Sequence, residues 1–128
     1  MPRVIIDTNF FLIPGRFGVD IFSEIRSLVG HTAEFAVMEG TAKELAGIAR
    51  TAEGKDRKAL RLSSMLIKAK GLKTLTHPPE TDVDTAILEA AGQNDHVATQ
   101  DLALRKRLRE KGIKVIFLRQ KRYLRIDG

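Results

Sequence analysis

Short β-branched runs alternate along this chain with longer stretches of helical spacing, and that alternation restricts the folds open to it. Residues 3–6 read as a buried strand, with Val4, Ile5 and Ile6 in a row. Residues 33–37, 72–75, 96–98 and 113–118 read as further strands. Residues 20–29 carry Ile21, Phe22, Ile25, Leu28 and Val29 at helical spacing, and Gly30 stops them. Residues 41–50 form another helical stretch, with room for a start one or two residues earlier. Residues 54–70 line up Ala59, Leu62, Leu66 and Ala69 before Gly71. A helix from Thr81 turns Val83, Ile87, Ala90 and Ala91 inward, and residues 102–111 form a basic helix closed by Gly112. Residues 8–13 suit a helical turn stopped by Pro14-Gly15, and residues 121–126 an extended tail. Strands separated by helices of this length predict a parallel sheet covered on both faces. Ligands of such sheets bind outside the carboxyl ends of the strands.

A chain of 128 residues makes one domain, residues 1–128, large enough to bury a core. It has no cysteine, which excludes disulfides and thiolate metal sites. No signal-peptide pattern opens it, and no apolar stretch approaches the ~18 residues of a membrane span. The expectation is a cytoplasmic protein without membrane contact. Its charge is uneven. Residues 101–128 hold ten Lys and Arg against three acids, leaving 12 basic and 13 acidic residues in the rest. A basic C-terminal quarter suits a polyanion such as RNA or DNA; a solvated helix face is the plain alternative.

Four acids then stand out: Asp7 after the first strand, Asp101 just past the fourth, and Glu44 and Asp84 near helix starts. Each has a local explanation. Asp7 and Asp101 suit helix N-caps, Thr41 and Glu44 fit a capping box, and Asp84 follows Thr81 at a helix N-terminus. Jointly they suit a different purpose. Hard cations such as Mg2+ and Mn2+ prefer carboxylate oxygens and retained waters. Crowded carboxylates repel one another unless a cation joins them. Such an ion also activates water and stabilises charge on phosphate. Asp82, Asp95, Glu39 and Glu80 read as outside this set, and His31, His77 and His96 lack metal-ligand spacing. There is no Gly-rich phosphate loop and no serine nucleophile elbow.

With Val4-Ile5-Ile6-Asp7-Thr8-Asn9, Thr41-Ala42-Lys43-Glu44-Leu45, Asp84-Thr85-Ala86-Ile87 and Val97-Ala98-Thr99-Gln100-Asp101 in hand, the chain resembles the PIN-domain ribonucleases over essentially its whole length. The stretches Lys58-Ala59-Leu60-Arg61-Leu62 and Val97-Ala98-Thr99-Gln100-Asp101-Leu102-Ala103-Leu104-Arg105-Lys106-Arg107-Leu108 are similar both to small archaeal VapC-type toxins and to the PIN nucleases of ribosomal RNA processing. The resemblance implies a three-layer α/β/α sandwich around a mainly parallel sheet of about four to five strands. It implies Mg2+ or Mn2+ held chiefly by Asp7 and Asp84, with Glu44 and Asp101 completing the catalytic set. Asn9 and Thr99 match supporting positions. Single-stranded RNA is the implied substrate, with an antitoxin protein and a second copy of the chain as implied partners. The zinc-binding or RNA-binding modules of some ribosomal members are missing here.

The expected activity is therefore metal-dependent RNA cleavage, with Arg105, Lys106, Arg109 and Arg122 contacting phosphates. Tyr123 suits either stacking on a base or packing of the tail. Two alternatives stay open: an rRNA-processing protein, including a non-catalytic RNA-binding scaffold, and a nuclease directed at DNA.

Overall fold

A computed structural model describes residues 2–69 and 71–127. Strand β1 (Arg3–Ile6) is fully buried over Val4, Ile5 and Ile6, so both its faces need cover. Chain order continues through a 3-10 turn (Thr8–Leu12), α1 (Ile13–Phe17), α2 (Ile21–Val29), β2 (Glu34–Met38), α3 (Glu39–Thr51) and α4 (Gly54–Ala69). Then come β3 (Lys73–Leu75), α5 (Val83–Ala90), β4 (Asp95–Ala98), α6 (Leu102–Glu110), β5 (Lys114–Arg119) and β6 (Tyr123–Asp127).

The six strands form one sheet in the order β3-β2-β1-β4-β5-β6. All pairs are parallel except β5 with β6. The chain leaves β1 toward β2 and β3, then returns to the other side of β1 to lay down β4 and β5. The crevice between β1 and β4 is thus the point where strand order reverses, the usual ligand position in open α/β sheets.

Period-two alternation splits the core into two layers. Val4, Ile6, Phe35, Val37, Ala98 and Ile116 pack on one face with Phe10, Phe11, Phe22, Ile25 and Leu60. Ile5, Ala36, Met38, Val97 and Val115 pack on the other with Val83, Ala86, Ile87, Leu104 and Leu108. On the first face α1 lies so near α4 that a Cβ at Gly15 would fall 2.1 Å from the Ala59 Cβ. Only glycine fits there.

Several expectations are revised. Among the described residues the sheet has six strands rather than four or five, because the tail expected to be extended over 121–126 pairs over 123–127 as the antiparallel edge strand β6. Tyr123 opens that strand opposite Arg119 and is partly exposed. Pro14-Gly15 does not stop the first helical turn. Proline in the first turn of a helix has no N–H bond to lose, so α1 continues to Gly18, whose φ of 67° ends it. Helix α3 starts at Glu39, directly after β2, two residues before Thr41 and within the earlier start that the sequence allows. Helix α4 reaches Ala69; Lys70, the expected last residue, lies outside the described residues.

The turn joining β5 and β6 holds two non-glycine residues in left-handed conformation, Gln120 at φ 54° and Lys121 at φ 57°. Each costs on the order of 1 kcal/mol. Among the described residues no helix is long and apolar enough to cross a membrane.

Candidate active site

Asp7 leaves β1 at its carboxyl end while its backbone N–H still donates to Ala98 O of β4, at 2.9 Å. Its side chain is therefore fixed at the strand-order reversal, and it is buried. Its Oδ1 accepts from Thr8 N at 2.8 Å and its Oδ2 from Thr99 Oγ1 at 2.7 Å. Burial pushes the Asp7 carboxyl above the ordinary range. The Thr99 and Thr8 bonds pull it back, and the nearby charges of Glu44 and Asp101 raise it further. The helix-cap reading of Asp7 is thus correct, yet incomplete. A cap does not need a buried carboxylate bonded across the sheet to a residue 92 positions away.

The other three acids come to the same edge from three helices. Thr41 is not an N-cap. It is buried inside α3 and meets Thr8 Oγ1 at 3.2 Å, so the capping box does not form. Glu44, one turn along, accepts from Thr8 Oγ1 at 2.6 Å. Asp82, not Thr81, caps α5 by accepting from Thr85 N at 2.7 Å. Asp84 is left half-buried in the first turn, and no side-chain hydrogen bond engages it among the described residues. Asp101 caps α6 by accepting from Leu104 N at 3.1 Å, and its own N–H donates to Thr99 Oγ1 at 3.1 Å. Thr99 is thereby held between two acids of the set.

Asp84 registers the whole group electrostatically. Its carboxyl is pushed up to about 6, first by loss of water and then by the charges of Asp7, Asp101, Asp82 and Glu44. Like charges nearby disfavour the ionised form, and of these four Asp82 is the neighbour that caps α5. Among the described residues, however, no three His, Cys, Asp or Glu side chains stand close enough to enclose a metal ion. This does not disqualify Mg2+, which keeps several waters and takes one or two carboxylates together with substrate phosphate. The donor set fits such a cation. It is all oxygen, it is mutually repulsive, and Asp84 is free to turn toward a ligand. Asp7 and Asp84 would hold it, with Glu44 and Asp101 behind them.

Not every expected residue joins this edge. Asn9 is exposed and makes no side-chain hydrogen bond among the described residues; Thr8, Thr41 and Thr99 supply the support instead. Thr8 lies within the stretch Ile6-Asp7-Thr8-Asn9, but its role depends on α3 packing over it, which spacing does not reveal. Arg105 stacks its guanidinium 3.7 Å over the Phe117 ring and pairs with Asp127 at 3.0 Å, and Arg109 lies 3.5 Å from the same carboxylate. Both therefore bind β6 to α6, while Lys106 and Arg122 remain exposed without an ion pair among the described residues. His77 has a structural part too. Its Nε2 accepts from Gly40 N at 2.8 Å, and Gly40 is pressed between that ring and Val83. The acidic edge is open. An apolar groove lies elsewhere, between α3 and α4, lined by Leu45, Ala49, Leu60 and Ile67. An open edge suits a polymer strand better than an enclosed small molecule.

A buried carboxylate at the crossover of a parallel sheet, ringed by acids from three helices, defines a class of α/β domain. The PIN-like domain family model matches residues 4–121, and the chain belongs to that family. It is similar to Ribonuclease VapC4 of Methanocaldococcus jannaschii, with 28% identity over 130 residues covering 100% of this chain and 98% of that protein. Its fold matches the PIN domain endonuclease Utp24 with a TM-score of 0.78 at 23% identity, over 98% of this chain and 90% of that one. It also matches VapBC2 from Rickettsia felis, solved bound to a DNA fragment from its promoter. That TM-score is 0.57 at 11% identity, over 91% of this chain and 99% of the other. At such identities these two structures speak to fold alone.

Proposed function

We propose that the chain is an Mg2+- or Mn2+-dependent endoribonuclease that cuts single-stranded RNA, as the toxin of a toxin–antitoxin pair. The observation that carries the reading is the buried Asp7 carboxylate at the carboxyl edge of the sheet, bonded to Thr99 and Thr8, with Glu44 bonded to the same Thr8. The whole-length similarity to a protein named as a VapC ribonuclease supports RNA as substrate and an antitoxin as partner.

When bound, the cation supplies positive charge against phosphate and lowers the pKa of water. The chain's own residues prepare the place. Thr99 and Thr8 fix the Asp7 carboxylate in one orientation, each of its oxygens keeping a free lone pair. Thr8 also holds Glu44, so one residue relates the second acid to the first, through its hydroxyl to Glu44 and its backbone N–H to Asp7. Burial and its acidic neighbours push the Asp84 carboxyl up to about 6, and in its ionised form it would hold the cation with Asp7. Exposed Lys106 and Arg122 add phosphate contacts that position a strand without reading its bases.

The test is Asp7→Asn. It should abolish Mg2+-dependent cleavage of single-stranded RNA while the circular dichroism spectrum and cooperative unfolding persist. Full activity in that variant rejects the mechanism. Wild-type protein that binds RNA without turnover in either metal would instead identify a scaffold, and preferential cleavage of DNA would reassign the substrate.

A further inference from the structure

We propose that the β5–β6 turn is a phosphate grip for the substrate strand, standing beside the acidic edge. Its class of ligand, single-stranded RNA, rests on the ribonuclease reading; its existence as a polyanion site does not.

The turn lies on the correct side of the sheet. Ile6 pairs with Ala98, and Ala98 with Ile116, so Ile116 is level with the last residue before Asp7. Strand β5 then runs on through Phe117, Leu118 and Arg119. At about 3.3 Å per residue this lifts Arg119 roughly 10 Å above the level of Ile6. Two strand spacings set it roughly 10 Å to one side. The extension is braced. Leu118 N donates to Gln100 Oε1 at 2.6 Å, within the loop that carries Thr99 and Asp101. Leu124 N donates to Glu24 Oε1 at 2.9 Å. A grip held at both sides keeps a fixed distance from Asp7.

The chemistry of the turn is one-sided. Arg119, Lys121 and Arg122 are exposed, with no ion pair among the described residues, and no acid interrupts residues 119–123. The nearest acid along β6, Asp127, already serves Arg105 and Arg109. The basic helix has thus spent two of its cations on the fold, and the turn has kept all of its own. Its backbone points the same way. A hairpin turn with positive φ is normally built from glycine or asparagine, which adopt it freely. Here Gln120 and Lys121 adopt it at φ 54° and 57°. Strained backbone of this kind clusters at sites where the side chains bind a ligand.

The experiment measures binding apart from cleavage. A fluorescent oligouridylate is titrated in EDTA, and the salt dependence of affinity is read by anisotropy. For single strands each phosphate contact contributes about 0.7 to the slope of log K against log salt. Combined Arg119→Gln, Lys121→Gly and Arg122→Gln should lower the slope by about 2. Lys73→Gln with Lys114→Gln removes charge from the opposite, amino-terminal edge and should leave it unchanged. Lys121→Gly alone should weaken binding several-fold with a melting temperature no lower than wild type, because glycine accepts the left-handed conformation. Wild-type affinity and slope in the triple variant, or an equal loss in the Lys73 and Lys114 pair, would overturn the grip. If the turn variants lose binding but the wild type never cleaves RNA, the grip stands and the ribonuclease reading fails.

Discussion

Asp84→Asn should stabilise the metal-free protein while removing its activity. The carboxyl of Asp84 titrates near 6 in the fold, against 3.8 without perturbation. At about 1.36 kcal/mol per pH unit, that difference is worth up to ~3 kcal/mol. Asp84 is only half-buried, and solvent screening reduces the figure to about 1 kcal/mol. The N-terminal dipole of α5 favours the negative charge by ~0.3–1 kcal/mol, which leaves a net gain of about 0.5 kcal/mol for asparagine. The sign follows from the raised pKa. The folded state holds the proton more tightly than the unfolded state, so the penalty is absent below about pH 4 and complete above about pH 6. Thermal unfolding in EDTA at pH 7.5 should therefore place Asp84→Asn about 1–3 °C above wild type, with the advantage shrinking toward nothing near pH 4. Added Mg2+ or Mn2+ should raise the melting temperature of wild type and not of the variant. A variant less stable than wild type at pH 7.5, or an equal difference at both pH values, would refute the shared acidic space.

Two further substitutions probe what holds the site. Thr99→Val removes the hydroxyl that donates to buried Asp7 and receives the Asp101 N–H, and should cost about 2–3 kcal/mol by urea denaturation, with Thr99→Ser retaining most of it. Gly15→Ala forces a methyl group to within 2.1 Å of the Ala59 Cβ and should cost at least ~2 kcal/mol; a neutral result would mean that α1 and α4 do not touch there.

How far the chain could be read depended on whether the deciding contacts were local. Strands β1 and β4 and the parallel sheet were legible because runs such as Val4-Ile5-Ile6 need cover on both faces. The positions of Asp7, Asp84 and Asp101, after strands and at helix starts, were legible from the same alternation. The edge strand β6 was not. Its exposed face carries Tyr123 and Arg125, and its turn lacks the glycine that announces a hairpin. The capping box at Thr41 and Glu44 failed for the opposite reason, since a local motif was outcompeted by Thr8, 36 positions from Glu44. Arg105 and Arg109 looked like phosphate ligands until β6 brought Asp127 between them.

The bond between Thr99 and Asp7 spans 92 positions and closes across β1 and β4. During synthesis β1 emerges first but lacks its β4 neighbour until Thr99 has been made. Contacts of such long range form late and slowly. A partly made chain therefore carries no assembled acidic edge, and a product ended before Thr99 would lack the bond that orients Asp7.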